Sequence, residues 1–209
     1  MQQEEKLKTG TTTVGILYKD GVVLASDSKS TLGSLVASKT TQKIYQVDDR
    51  IAVTTAGGSG DTQALIRILK AEINLYKLTR NKEFTVKAAV TLLSNILSNN
   101  RWYPYLAMLI VGGVDKDGNH IYSIDPVGGS EEEDKFTSTG SGSPFAYGVL
   151  EDTYKDNLAR EEAVQLVINA VRAAQERDIF SGGRDIVVAI IDKTGTEIIN
   201  QNIRDLSRK

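Results

Sequence analysis

No cysteine occurs in the 209 residues, so disulfides, thiolate nucleophiles and cysteine-ligated zinc are excluded. A single histidine, His120, follows an Asp-Gly turn. A serine-histidine-aspartate site could use no other, and the position reads as a surface histidine rather than a base. Charge of one sign is also missing: 25 Lys and Arg stand against 27 Asp and Glu, a formal net charge of -2. Phosphate binding needs a concentrated basic patch, and interspersed charges do not make one, so nucleic acid is excluded as a partner. No apolar run approaches the ~20 residues of a membrane span, and the charged first ten residues lack the apolar core of a secretory signal. No membrane contact and a cytoplasmic location are therefore expected. The acidic residues 131–134 are consecutive rather than spaced as metal ligands must be, and read as a solvated loop; no metal and no cofactor is expected.

What is present is a rhythm of short strands and paired helices. Residues 11–18 alternate apolar and hydroxyl side chains, Asp20-Gly21 supplies a tight turn, and residues 22–25 resume an apolar run. Residues 26–38 are small and polar, a loop. Strands follow at 42–47 and 51–56, ending at Gly57-Gly58. Leu65, Ile68, Leu69 and Ile73 recur at helical spacing behind a cap at Ser59 or Asp61, and Val86, Ala89, Val90 and Leu93 do so behind Thr85. A hairpin is predicted over 106–124 and a loop over 128–143, with a short strand near 135–137. Pro144 stands where a helix starts, a longer helix from about Arg160 buries Val164, Val167, Ile168 and Val171, and strands at 185–191 and 196–199 close the chain. This order lacks the strand-helix alternation of a parallel sheet. It calls for an α+β fold, a four-layer α-β-β-α sandwich of two antiparallel sheets flanked by helices.

The stretch Gly10-Thr11-Thr12-Thr13 stands at the mouth of the first strand. Threonines also favour strands, and that alone would account for them. Cut between Gly10 and Thr11, however, the chain would begin with a threonine that carries its own base. The side-chain hydroxyl is the nucleophile, and the freed α-amine, with a reference pKa near ~7.7 to 8.0, takes its proton. Residues 1–10 then read as a removable leader and 11–209 as one catalytic domain. Further along, Asp27 ends an apolar strand and Lys43 shares a strand face with Tyr45 and Val47, so a charge points inward. A buried lysine needs a partner, and Asp27 is the candidate.

Seven segments occurring in one order carry a family resemblance: Gly10 to Gly15, Asp27-Ser-Lys-Ser-Thr31, Lys43-Ile-Tyr45, Ala56-Gly57 with Gly60-Asp61, Leu109 to Gly113, Ser138 to Pro144, and Arg177-Asp178 with Ser181-Gly-Gly183. Together they resemble the β-subunit family of the archaeal 20S proteasome, among the N-terminal nucleophile hydrolases, across residues 11 to about 191. The resemblance implies the same sandwich and a threonine endopeptidase self-processed at Gly10-Thr11. It implies Thr11 as nucleophile, Lys43 held by Asp27 beside it, and Gly57 as oxyanion donor. Ser141, Asp178 and Ser181 would surround the new α-amine. Thr31 would pair with the substrate main chain, and Ser30, Thr41, Tyr45 and Thr55 would line the S1 pocket, where Thr55 is more polar than the apolar residue expected. Lys29 stands where arginine is frequent. Implied partners are proteasome α subunits, other β subunits in stacked rings, a regulatory ATPase acting through the α rings, and polypeptide substrates. Two alternatives remain open here: an unprocessed structural ring subunit, and the related bacterial ring peptidase that lacks α-type partners.

Overall fold

A computed structural model describes residues 10–202, so most of the expected leader, residues 1–9, lies outside the described residues. Strands β1 (Thr13–Tyr18) and β2 (Gly21–Ser26) form the first hairpin, and a second, small one joins β3 (Ser30–Leu32) to β4 (Leu35–Ser38). Strands β5 (Ile44–Asp48) and β6 (Ile51–Gly57) precede the helices α1 (Ser59–Arg80) and α2 (Val86–Asn99). Then come β7 (Ala107–Asp115), β8 (Gly118–Ile124), β9 (Ser130–Glu133) and β10 (Phe136–Thr139), helices α3 (Ser143–Thr153) and α4 (Arg160–Arg177), and the closing hairpin β11 (Asp185–Asp192) and β12 (Gly195–Asn202).

The strands assemble into two five-stranded antiparallel sheets, ordered β10-β1-β2-β11-β12 and β5-β6-β7-β8-β9. Strand alternation explains how each sheet feeds two cores. In β1 and β2, Val14, Ile16, Val23 and Ala25 pack with Leu166, Val167 and Val171 of α4, whereas Val22 and Leu24 point the other way, against Ile44, Ile110 and Ile121 of the second sheet. The second sheet buries Val53, Leu109 and Val111 under Leu65, Leu69 and Leu93 of α1 and α2. The result is the α-β-β-α sandwich expected. Each fully buried Leu or Ile contributes about 1.5 to 3 kcal/mol by its removal from water. No helix among the described residues is long and apolar enough to cross a membrane.

Several local expectations need correction. The segment 26–38 is not simply a loop, since β3 and β4 pair there. The acidic residues 131–134 are not a solvated loop either: Glu131, Glu132 and Glu133 lie in β9, paired with β8 at the edge of the sheet. Carboxylates suit an edge, because like charges there discourage pairing with another chain. Neither Ser59 nor Asp61 caps α1, whose N-cap is Gly58 without a side-chain bond; Asp61 instead accepts the Leu106 N–H at 2.8 Å. The buried stripe of α1 is Leu65, Ile66, Leu69 and Ile73, with Ile68 38 % exposed, and Val164 is only partly buried against the α4 core. His120 is not a free surface histidine: its ring lies between Glu132, at 2.7 Å, and Asp115, at 3.4 Å.

Candidate active site

The centre of the site is a carboxylate at the end of β2. Asp27 is fully buried, and each of its oxygens accepts two N–H donors. Oδ1 takes the Lys43 ammonium at 2.7 Å and the Thr12 amide at 3.0 Å; Oδ2 takes the Gly182 amide at 3.0 Å and the Lys29 amide at 3.2 Å. Lys43, just before β5 on the other sheet, is 5 % exposed. Burial pushes its pKa below the ordinary lysine range, and the Asp27 charge opposes that shift. The pair thus bridges the two sheets at one end of the sandwich.

Thr11, two residues before β1, is 3 % exposed and stands between Gly10, whose carbonyl Lys43 approaches, and Thr12, whose amide Asp27 accepts. With the Gly10–Thr11 bond intact, the Thr11 hydroxyl donates to the Gly10 carbonyl at 2.6 Å, and the Lys43 ammonium approaches the same oxygen at 3.4 Å. Gly10 fits only because it has no side chain: a Cβ there would fall 1.8 Å from that of Phe180. On the other side, the Thr11 amide donates to Ser141 Oγ at 3.3 Å.

That serine belongs to a second cluster, built on Asp178 at the C-terminal end of α4. Asp178 Oδ2 accepts the hydroxyls of both Ser141 and Ser181 at 2.6 Å. Because the Ser181 hydroxyl hydrogen is directed at the carboxylate, its oxygen accepts from the Thr12 hydroxyl at 2.6 Å. Thr11 and Thr12 are therefore fastened from both sides, by Asp27 in front and by the Asp178 cluster behind.

A cavity of about 190 Å³ opens onto Thr11. Ser30 and Thr31 of β3, Thr41, Lys43, Tyr45, Thr55 and Gly57 all contribute to its wall, so the structure gathers every expected substrate-side residue around one space. Gly57 sits at φ +127°, and a Cβ would meet the Leu106 carbonyl oxygen at 2.0 Å, which reserves the position for glycine. The Thr55 hydroxyl faces the Lys43 carbonyl at 3.4 Å.

Six wall residues escaped sequence reasoning: Leu32, Gln42, Gly58, Ser59, Thr62 and Gln63. The last three occupy the start of α1, and the i, i+3, i+4 relation of Ser59, Thr62 and Gln63 is a polar stripe that could have pointed to them. Lys29 was also undervalued. Its ammonium donates to the Ile179 carbonyl at 2.7 Å and so ties the loop between α4 and β11 to the end of β2.

Comparison with known proteins places this geometry in a family. Residues 7–191 match the model of the family described as proteasome subunit. A protein of Ferroglobus placidus named proteasome subunit beta is 50 % identical over 205 residues, covering 98 % of both chains. Proteins of the same name from Methanosarcina mazei and Archaeoglobus fulgidus are 50 % identical over 193 residues, or 92 % of this chain and 91 % of that one, and 51 % identical over 185 residues, or 88 % and 87 %. With the family matched over nearly its whole length and half of its residues shared with such relatives, this chain belongs to the proteasome subunit family.

Proposed function

We propose that this chain is a threonine-type endopeptidase, the catalytic β subunit of a 20S core particle, made as a precursor and activated by cleavage between Gly10 and Thr11. The observation that carries the reading is the position of the Thr11 hydroxyl, beside a buried Lys43–Asp27 pair and at the end of an open cavity. In the precursor the Thr11 nitrogen is an amide and cannot serve as a base. Its hydroxyl swings from the carbonyl oxygen of Gly10 to the carbonyl carbon, and the Lys43 ammonium polarises that oxygen. The C–N bond then breaks, the nitrogen takes up the proton, and the resulting ester is opened by water. Gly10 leaves as a carboxylate and Thr11 gains a free α-amine.

In the mature protein this amine stays beside Ser141 and takes the Thr11 hydroxyl proton as the oxygen attacks a peptide carbonyl. Lys43, held charged by Asp27, lowers the cost of the forming alkoxide. The Gly57 amide is assigned to the oxyanion, a contact of a kind worth about 3 to 4 kcal/mol in the transition state. The amine then protonates the departing peptide nitrogen, and water positioned near Ser141 and Ser181 hydrolyses the acyl-threonine. Thr31 on β3 offers its backbone to an extended peptide, a recognition of main chain rather than sequence.

The working form in this proposal is a cytoplasmic particle of stacked rings. This chain shares its ring with other β subunits, pairs with α subunits and receives unfolded polypeptides through a regulatory ATPase seated on the α rings. Co-assembly with α-type rings should yield a mature mass beginning at Thr11 together with peptidase activity, and Thr11→Ala should abolish both. Full activity of Thr11→Ala would refute the reading; an assembled wild-type chain that keeps residues 1–10 would indicate a structural ring subunit.

A further inference from the structure

Thr12 is fully buried, and its amide, carbonyl and hydroxyl are all engaged. The amide donates to Asp27 Oδ1 at 3.0 Å, the carbonyl accepts the Asp27 amide at 3.2 Å, and the hydroxyl donates to Ser181 Oγ at 2.6 Å. The hydroxyl has a reserved seat. A Cβ on Gly142, the residue before α3, would fall 2.0 Å from it and 2.9 Å from Ser181 Oγ, so the chain can approach there only as glycine. Unlike Thr11, Thr12 does not line the cavity, and whatever part it plays in the chemistry is played through other groups.

The bonds around it close a ring. From the Thr11 nitrogen the path runs to Ser141 Oγ at 3.3 Å and to Asp178 Oδ2 at 2.6 Å, then out through Ser181 at 2.6 Å and the Thr12 hydroxyl at 2.6 Å, and the peptide bond between Thr12 and Thr11 completes it. Every donor on the ring is directed toward Asp178 Oδ2, one arm starting at the Thr11 nitrogen and the other at the Thr12 hydroxyl. Donors in series polarise one another, so the Thr12 hydroxyl strengthens the bond from Ser181 and disperses the charge of the carboxylate. Less of that charge is left to attract a cation at the end of the other arm.

Resting on the peptidase reading above, we propose that Thr12 is a positioning residue, whose hydroxyl acts through Ser181 and Asp178 to hold the freed α-amine of Thr11 in place and in the neutral form that takes up the hydroxyl proton. The amine is a base only when unprotonated, and a less satisfied carboxylate at the end of its arm favours the ammonium. The other charges gathered here are Asp27, reached through the Thr12 amide, Lys43, whose ammonium stands 3.4 Å from the Gly10 carbonyl, and Lys29, which bonds the Ile179 carbonyl. None of these contacts uses the Thr12 hydroxyl, so its removal acts on the Asp178 arm alone.

The test compares Thr12→Ala and Thr12→Ser with the wild type on one fluorogenic peptide. The two variants both lack the methyl group and differ from each other only in the hydroxyl. All three chains are produced with Thr11 as the first residue and assembled with α-type rings, so that precursor cleavage does not enter, and rates are taken per assembled chain. At about pH 7, kcat/KM of Thr12→Ala should fall about tenfold, the order set by one buried hydrogen bond. The acid limb of its pH profile should move to higher pH, so that part of the loss returns on the alkaline side. Thr12→Ser should keep the rate and the limb of the wild type. Should Thr12→Ala fail to assemble, Thr12→Val takes its place, filling the space without the hydroxyl. An undiminished rate without the hydroxyl, a loss with an unmoved limb, or a Thr12→Ser as impaired as Thr12→Ala overturns the role of Thr12 alone. No cleavage by the wild type overturns the peptidase reading, and this role with it.

Discussion

Lys43 and Asp27 meet at 2.7 Å inside the protein, one from each sheet, with 5 % and none of their surfaces exposed. Such a pair is a poor source of stability, because the desolvation of two charges rivals their attraction; removing one partner is nonetheless costly. Lys43→Ala should lower stability by about 3 kcal/mol through the Asp27 charge left behind, and turnover by about a thousandfold or more. An Asp27→Asn, Lys43→Met double variant should recover most of the stability in urea unfolding while remaining inactive. Substantial turnover in the double variant would remove the pair from the mechanism.

The pH dependence of kcat follows from the sign of the Lys43 shift. Burial disfavours its charged form, so the ammonium is lost below the ordinary lysine value of about 10.4. If the charged form assists Thr11, the alkaline limb of kcat falls in that lowered range. Asp27 acts in the opposite direction, so Asp27→Asn should move the limb further down. For folding, a lysine with depressed native pKa is destabilising at low pH, and stability recovers as pH rises between the native and unfolded values. A limb that stays put in Asp27→Asn would assign it to another group.

Gly10→Ala separates processing from catalysis. The added Cβ collides with Phe180 only while residue 10 is attached, so precursor cleavage should slow severely. A protein produced directly with Thr11 as its first residue should work normally, having no residue 10. Intact-mass kinetics on the two forms would check this, and rapid cleavage of Gly10→Ala would show that the contact with Phe180 is not kept in the precursor.

Thr55→Ala removes a buried hydroxyl that faces the Lys43 carbonyl and widens the cavity. The kcat/KM ratio of a phenylalanine to an alanine P1 peptide should rise severalfold, because each buried methylene-sized increment contributes about 0.8 kcal/mol. An unchanged ratio would place Thr55 outside the path of the P1 side chain.

The sandwich was legible because its signals are local. Asp20-Gly21 and Asp117-Gly118 mark hairpins between alternating runs, and the helices repeat apolar residues every third or fourth position. The misread segments 26–38 and 131–134 and the misread Asp61 share a cause, since each concerns an edge or a partner distant in sequence. β3 and β4 pair mainly with each other and expose Leu32 and Leu35, so they show no buried alternation. β9 is four residues long, three of them carboxylates, and pairs with a single neighbour. Asp61 looks like a helix cap until the Leu106 amide, 45 residues away, claims it. Around Thr11 the residue types were legible only as a set. Lone serines and aspartates at 141, 178 and 181 satisfy ordinary turn and cap chemistry, and nothing local shows that one carboxylate oxygen gathers two hydroxyls from separate loops.

The span of those bonds sets an order of events during synthesis. Thr11 leaves the ribosome well before Ser141, which holds its amide and follows 130 positions later, and Ser181, which holds the Thr12 hydroxyl, comes 169 positions after Thr12. Contacts so remote along the chain form late, because their loop-closure entropy is met only after the intervening elements have folded. A nascent chain that has not yet reached Ser181 therefore carries Thr11 without its full setting. The distance in sequence acts as a clock: the surroundings of Thr11 are completed only after Ser141 and Ser181 have emerged.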